Sequence, residues 1–296
     1  ALAQLLHGVH GRKGFMLLTG EVGTGKTTLL QDLIRRLDDR TAVALITNSM
    51  LGFEGLLEYM LEDLGVGKVG QSHAQRLFAL QNFLVERHRA GQGTVLILDE
   101  AQDLDVPTLE QVRLLSNFET PTEKILQILL VGQPELRVKL DLPELRQLKQ
   151  RIGLRCTIPP LALDEVGHYI RTRLRVAGSP DLRLFTEPAI ERIARYSGGI
   201  PRLINTACDH GLLFAYADKV RRIDRDIVDQ VIQYLDDGEP QRRRAIRPRL
   251  PGWRMTPLRW SVLGACTAAA AGLAAAHSGA SSLADLASSA RALFRL

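Results

Sequence analysis

One eight-residue stretch constrains this chain more than any other part of it. Between an apolar run of strand length and a helical pattern, residues 20–27 read Gly20-Glu21-Val22-Gly23-Thr24-Gly25-Lys26-Thr27. This fits the pattern G-x-x-x-x-G-K-[ST], in which the glycines let successive backbone N–H groups point at one anion and the following helix N-terminus adds its dipole. The pattern predicts a phosphate-binding loop at residues 20–28, including Thr28. Lys26 is expected to reach the β- and γ-phosphates of a nucleotide.

The surrounding sequence alternates short apolar runs with longer amphipathic ones. Strand-length runs lie at residues 15–19, 42–46, 94–98 and 125–131, a fifth short strand is expected at 156–158, and helical patterns lie at 27–37, 53–64, 74–89 and 106–118. Runs that are apolar throughout are typical of parallel strands buried on both faces. The alternation predicts a three-layer α/β nucleotide-binding domain over residues 1–160, with right-handed crossovers.

An acidic pair follows one of these strands. Asp99 and Glu100 come directly after the run at 94–98, at the carboxyl end of a strand, where open α/β sheets bind their ligands. Asp99, together with Thr27 of the loop, is expected to hold Mg²⁺. Glu100 is placed to polarise a water molecule against the γ-phosphate. The combination predicts ATP and Mg²⁺ as cofactors and ATP hydrolysis as the reaction.

Two further side chains are candidates for this reaction. Gln133 follows the strand at 125–131 and is expected to orient the attacking water, although capping of the turn is an alternative. A basic helical pattern at 145–152 precedes the last strand. We favour Arg151 over Arg146 and Arg155 as a cation that reaches the phosphates of a neighbouring subunit, and a solvated basic face is the alternative. A homo-oligomer is therefore expected.

The character of the sequence changes after residue 160. Helical patterns at 164–176, 186–196, 201–217 and 224–235 follow without an intervening strand, which predicts an all-helical lid domain at 161–237. Within it, Gly198-Gly199-Ile200-Pro201 places Arg202 at a helix N-terminus. Because the helix dipole disfavours a cation there, we expect Arg202 to meet an anion and to act as a phosphate sensor.

The net charge of +5 belongs to the C-terminal part of the chain. Residues 237–296 contain nine Arg and three acidic residues, whereas the first 236 residues contain 29 basic and 30 acidic ones. A near-neutral body with 5% aromatic residues argues against a nucleic-acid-binding surface. Three cysteines without a C-x-x-C pair predict neither a zinc cluster nor a disulfide scaffold, as is usual for a cytosolic body.

The C-terminal part divides into three segments. Residues 238–259 form an Arg- and Pro-rich linker, residues 260–276 carry no charge, and residues 277–296 form a short tail. The uncharged segment is predicted to be a single transmembrane helix, with the Arg-rich flank keeping the body on the cytoplasmic side of the inner membrane. An Ala-rich soluble helix or a disordered tail is the alternative.

In combination, these motifs resemble those of an AAA+ ATPase, and more narrowly the ExeA/GspA type of general secretion pathway ATPases. The resemblance rests on residues 14–28, 96–102, 132–136 and 198–205, and it covers roughly residues 1–236. It implies a cytoplasmic ATPase, one membrane segment and a partner in a cell-envelope or secretion machine. Close relatives serve pilus assembly, exopolysaccharide export and transposition.

The chain departs from this type at both ends. Most of the segment that precedes the phosphate-binding loop in such ATPases is expected to be missing, and twenty residues follow residue 276 instead of a wall-binding domain. Two alternatives stay open from the sequence. One is a DNA-associated ATPase of the transposition or initiator type, and the other is a nucleotide-dependent scaffold whose hydrolysis is incidental.

Overall fold

The computed structural model describes residues 1–47, 51–67, 72–120 and 123–237. The predicted linker, membrane segment and tail at 238–296 lie outside the described residues. Within the described ranges, no helix combines the length and the apolar character that crossing a membrane requires.

Five parallel strands form the central sheet. They are β1 (Phe15–Gly20), β2 (Thr41–Ile46), β3 (Gly93–Leu98), β4 (Gln127–Gly132) and β5 (Ile152–Ile158), arranged in the order β2-β3-β4-β1-β5. Strands β1 and β4 are buried along their whole length. Continuous apolar strands of this kind fit a sheet that is covered on both faces.

Helices cover both faces of this sheet. In chain order they are α1 (Leu2–His10), α2 (Lys26–Arg36), α3 (Phe53–Asp63), α4 (His73–Arg89), α5 (Val106–Leu115), α6 (Pro134–Leu140) and α7 (Arg146–Arg151). Successive strand residues point to opposite faces. Met16 and Leu18 of β1 therefore share a core with α1 and α2, whereas Phe15 and Leu17 belong to the core formed with α3 to α7. The predicted three-layer α/β arrangement is confirmed.

Between β5 and residue 237, where the described part of the chain ends, lie four more helices, and we refer to them together as the C-terminal helices. They are α8 (Leu163–Val176), α9 (Glu187–Ser197), α10 (Pro201–Ala217) and α11 (Arg225–Asp237). They share a hydrophobic cluster of their own, which includes Ile170, Ile193, Ile204 and Val228. The backbone N–H of Leu161 donates to the carbonyl oxygen of Gly199 at 2.9 Å, which ties the turn before α10 to the segment that enters α8.

Three elements differ from the sequence patterns. Strand β5 has seven residues, whereas the sequence predicted three. It is an edge strand, and its buried residues Ile152 and Cys156 alternate with more exposed positions. Such alternation hides a strand from a search for continuous apolar runs. The helical patterns also did not include α1 and the seven-residue α6.

Candidate nucleotide-binding site

The phosphate-binding loop joins β1 to α2 and is held by its own hydrogen bonds. Gly23 and Gly25 adopt left-handed conformations, with φ of 80° and 95°, which glycine tolerates without steric cost. Lys26 is 6% exposed, and its ammonium donates to the carbonyl oxygens of Gly20 at 2.8 Å and Glu21 at 3.1 Å. The loop therefore has the backbone turns and the enclosed cation that phosphate binding requires.

A cavity of about 960 Å³ opens in front of this loop. One wall consists of residues 22–29 with Glu100, and the opposite wall consists of Tyr169, Arg173, Arg202 and Asn205 from the C-terminal helices. Leu2 of α1 also lines it. The volume lies within the range of cofactor sites in proteins. The loop residues predicted to bind phosphate therefore line the same cavity as Glu100 and Arg202.

Asp99 lies where β3 ends, and it is 8% exposed. Burial raises the pKa of its carboxyl, with a smaller upward contribution from Glu100, while the backbone N–H of Glu100 and the charge of Lys26 lower it. A desolvated carboxylate of this kind favours a nearby cation, because the cation stabilises its ionised form.

The side chains near the phosphate-binding loop include ligands of the kind that magnesium prefers. Mg²⁺ prefers hard oxygen ligands, and protein sites for it often supply one or two carboxylates with the substrate phosphates and water completing the shell. The Asp99 carboxyl and the exposed Thr27 hydroxyl are ligands of this chemistry. Among the described residues, no cluster of three or more His, Cys, Asp or Glu side chains could hold a metal. The residues present fit a magnesium ion shared with a phosphate.

Glu100 sits in an unusual backbone conformation at the start of the short helical turn Ala101–Asp103. Its φ of 50° and ψ of 40° are left-handed, which is uncommon for a residue other than glycine and often marks a functional site. Its backbone N–H donates to Asp99 Oδ1 at 2.9 Å. This bond ties the direction of the Glu100 side chain to the buried carboxyl beside it.

The Gln133 side chain lies beside Glu100. Its Nε2 is 3.4 Å from Glu100 Oε2, and although Gln133 precedes α6, its side chain makes no capping bond to that helix. Gln102, which the sequence search did not single out, contacts both residues. Its Nε2 donates to Glu100 Oε2 at 2.9 Å, and its Oε1 accepts from the Gln133 backbone N–H at 3.0 Å. In the sequence, the one signal that pointed to Gln102 was its position two residues after Glu100.

Arg202 lies in the first turn of α10, next to the phosphate-binding loop. Its backbone N–H donates to the carbonyl oxygen of Gly23 at 3.2 Å. A Cβ atom on Gly23 would lie 2.5 Å from the Arg202 Cβ, so glycine allows the loop and α10 to approach this closely. The Arg202 side chain is exposed on the cavity wall.

Other polar residues of the same wall were also missed by the sequence search. The Tyr169 hydroxyl donates to Asn205 Oδ1 at 3.1 Å, and Arg173 lines the cavity beside them. Tyr169 and Arg173 lie within a helical pattern, and nothing in the local sequence sets them apart from ordinary surface positions. Asn205 is the last residue of the segment 198–205 that carries the family resemblance, but no role was assigned to it.

Arg151 is placed outside this cavity, within its own subunit. Its guanidinium donates to the Arg113 carbonyl oxygen at 3.2 Å, to Asn117 Oδ1 at 2.8 Å and to the Ser116 hydroxyl. These groups lie at the C-terminal end of α5, where the helix dipole favours a cation. The exposed Arg155 donates to the Lys149 carbonyl oxygen at 3.0 Å.

Comparison with known proteins gives a consistent family. Residues 9–140 match the family described as AAA domain. General secretion pathway protein A of Aeromonas hydrophila is 44% identical over 218 residues, which are 73% of this chain and 40% of that protein. This chain therefore spans less than half the length of that relative.

Solved structures share the fold. Cdc6p from Pyrobaculum aerophilum superposes with a TM-score of 0.59 at 21% identity, over 75% of this chain and 62% of that one. The ORC2 protein of Aeropyrum pernix, solved in ADPNP–ADP complexes, gives a TM-score of 0.57 at 17% identity, over 81% and 67%. Identities this low support the fold alone. The sequence matches give the family: the chain belongs to the AAA ATPases, of the general secretion pathway protein A type.

Proposed function

We propose that this chain binds ATP with Mg²⁺ and hydrolyses it in the cavity between the phosphate-binding loop and the C-terminal helices. The observation that carries the proposal is that one cavity is lined by residues 22–28 of the phosphate-binding loop, by Glu100 and by Arg202. Phosphoryl transfer depends mainly on positioning and on stabilisation of charge, and these three groups supply both.

Each residue has a distinct role in this proposal. The loop N–H groups and Lys26 bind the β- and γ-phosphates, and Arg202 contacts the γ-phosphate from the opposite wall. Glu100 takes a proton from the attacking water, while Gln133 orients that water. Thr27 and Asp99 hold Mg²⁺, which when bound neutralises charge on the phosphate oxygens.

Two variants test this assignment. Lys26→Ala is expected to weaken ATP binding about 100-fold, because charge-assisted hydrogen bonds to phosphate are lost. Glu100→Gln is expected to bind ATP normally while its turnover falls about 100-fold or more, because the proton acceptor is lost. Calorimetry measures the first effect and phosphate release the second. Exposed residues provide matched controls, Lys13→Ala and Glu58→Gln. Parent-like turnover in Glu100→Gln would remove Glu100 from the role of proton acceptor.

Arg151 is proposed to act on the nucleotide of a neighbouring subunit in a homo-oligomer. In that role its guanidinium exchanges the contact with Asn117 for a phosphate of the neighbour. Mixing Arg151→Ala with Lys26→Ala protein should then restore turnover, because one intact composite site can form between the two variants. Arg146 is exposed and provides a parallel variant, Arg146→Ala. If mixing with Lys26→Ala restores turnover for Arg146→Ala and not for Arg151→Ala, the role belongs to Arg146.

The biological role we propose is assembly of a cell-envelope secretion or export machine. It is supported by the 44% identity to general secretion pathway protein A. In this proposal residues 161–237 act as the lid of the nucleotide domain at 1–160. The identity of the partner would follow from crosslinking in the native membrane.

Membrane attachment through residues 260–276 belongs to the same proposal. Replacing Leu263 and Leu273 with Asp, with every Arg retained, should release the protein from carbonate-washed membranes, because charged residues oppose insertion. Salt should release it only if the attachment is electrostatic. Carbonate-resistant binding by the double variant would exclude this segment as the anchor.

The DNA-associated alternative has less support. Its electrostatic requirement is a basic face, and residues 1–236 carry 29 basic and 30 acidic side chains. Salt-dependent retention on duplex DNA by a chain that ends at residue 237 would revive this alternative, because the Arg-rich segment would then not be needed.

A further inference from the structure

The side-chain amide of Gln102 connects the ends of two neighbouring strands. Gln102 follows β3, and Gln133 follows β4. The amide nitrogen donates to Glu100 Oε2 at 2.9 Å, and the amide oxygen accepts from the Gln133 backbone N–H at 3.0 Å. One side chain therefore contacts both the carboxylate proposed to accept the proton and the residue proposed to orient the water.

The turn that carries Gln102 is fixed from a second direction. Lys139 of α6 donates to the carbonyl oxygens of Gln102 and Leu104, the latter at 2.7 Å. On the other side, the left-handed backbone of Glu100 donates to Asp99 Oδ1. The backbone on both sides of the amide is therefore held, and the direction of the amide is set by the fold.

Space for the amide comes from Gly132, the last residue of β4. A Cβ atom at this position would lie 2.6 Å from Gln102 Oε1 and 2.9 Å from Leu136 Cδ2. Any larger residue would force Gln102 to move. The end of β4 is therefore shaped around this side chain.

We propose that Gln102 is a positioning residue for ATP hydrolysis, one that holds the Glu100 carboxylate in place against the end of β4. An amide is suited to this task because it donates at one end and accepts at the other. Gln102 is absent from the walls of the nucleotide cavity, so it acts through Glu100 and Gln133. The inference rests on the proposed ATP hydrolysis.

Two substitutions separate the two ends of the amide. Gln102→Leu removes both of these hydrogen bonds, together with the bond that the amide nitrogen donates to Asp103 Oδ2 at 3.1 Å. Gln102→Glu keeps an oxygen for the Gln133 N–H and loses the donor to Glu100 and Asp103. Turnover with Mg²⁺ and ATP should fall about 10- to 100-fold in both variants, with KM within about twofold of the parent, because a displaced catalytic group costs rate and leaves phosphate binding intact. Gln111→Leu, on the exposed face of α5, is the matched control and should keep the parent rate.

Hydrogen exchange of the Gln133 backbone amide gives a readout that needs no activity. In the full-length protein without nucleotide, Gln102→Leu should speed this exchange about 5- to 10-fold, as expected for one lost hydrogen bond. Gln102→Glu and Gln111→Leu should exchange at the parent rate. This pattern, slow turnover in both Gln102 variants with fast exchange in Gln102→Leu alone, is the result expected.

Other outcomes overturn specific parts of the scheme. Parent-like turnover in Gln102→Glu would overturn the role toward Glu100, and unchanged exchange in Gln102→Leu would overturn the link to Gln133. A rise in KM with unchanged kcat would make Gln102 a binding residue instead. If the parent protein does not hydrolyse ATP, the proposed function itself fails, and that result is distinguishable because it requires no variant.

Discussion

The two walls of the nucleotide cavity are built in different ways. On the sheet side, the sheet wall, Lys26 is buried and hydrogen-bonded to the carbonyl oxygens of Gly20 and Glu21. On the side of the C-terminal helices, Arg173 and Arg202 are exposed to the cavity. One wall thus has its geometry before a ligand arrives, whereas the other presents cations whose positions a ligand can set.

This difference has an energetic meaning. A buried ammonium must be satisfied within the fold, since an unpaired buried charge costs several kcal/mol. An exposed guanidinium is solvated by water and can exchange that water for phosphate at small cost. We infer that the sheet wall contributes preorganised binding, and that the helical wall contributes contacts that form when the nucleotide binds.

The largest expected effect concerns the turn that attaches the helical wall. Gly199 has a φ of 78°, and a Cβ atom there would lie 1.9 Å from the Leu161 carbonyl oxygen. Gly199→Ala should destabilise the protein by about 3–5 kcal/mol, through a backbone clash added to left-handed strain. Denaturant unfolding measures this loss.

The neighbouring glycine is the control for this prediction. Gly198 is also left-handed, with a φ of 56°, but a Cβ atom there meets nothing within 4 Å. Gly198→Ala should cost about 1 kcal/mol, from strain alone. Equal losses in the two variants would show that the contact with Leu161 does not hold the turn.

Arg202→Ala tests whether the helical wall acts only when nucleotide is bound. Affinity for ATP should fall about tenfold, because one charge-assisted contact is lost. The free energy of unfolding without ligand should stay within about 0.5 kcal/mol of the parent, as for other exposed positions. Exposed Arg175→Ala should change neither quantity. A large loss of ligand-free stability in Arg202→Ala would contradict the contrast between the walls.

Arg151→Ala should lower the free energy of unfolding by about 1–2 kcal/mol, measured by urea denaturation. The reason is that its guanidinium binds three acceptors at the end of α5. Exposed Arg146→Ala should have almost no effect. Equal stability of the two variants would mean that the contacts of Arg151 are too solvated to contribute.

The sequence predicted the sheet wall more fully than the helical wall. The loop at 20–27 and the pair Asp99-Glu100 are contiguous motifs, in which spacing along the chain encodes the geometry. Continuous apolar runs likewise identified β1, β3, β4 and the edge strand β2, whereas the other edge strand, β5, was underestimated because its residues alternate.

Contacts between distant segments could not be predicted in the same way. Arg173 and Asn205 reach the cavity because α8 and α10 pack together, and helical periodicity does not specify which neighbour a face meets. Gln102 was overlooked because its partner Gln133 lies 31 residues away. The three acceptors of Arg151 are also distant in sequence, and a basic helical pattern does not reveal them.

The smallest expected effect tests whether α10 keeps its packing when nucleotide binds. Cys208 lies on this helix, six residues after Arg202, and burial raises its pKa to about 12, with a smaller contribution from Asp209. In a chain with Cys156→Ser and Cys266→Ser, alkylation of Cys208 should therefore be slow and should rise about tenfold per pH unit from pH 7 to 9.5, since the thiolate is the reactive form. For an unperturbed thiol, with a pKa near 8.5, the alkylation rate would level off within this pH range.

Adding a non-hydrolysable ATP analogue should leave the alkylation rate of Cys208 and its increase with pH unchanged if the helical wall responds through its exposed arginines alone. A faster reaction with nucleotide would mean that α10 repacks, and the helical wall would then differ from the sheet wall in its core as well as at its surface.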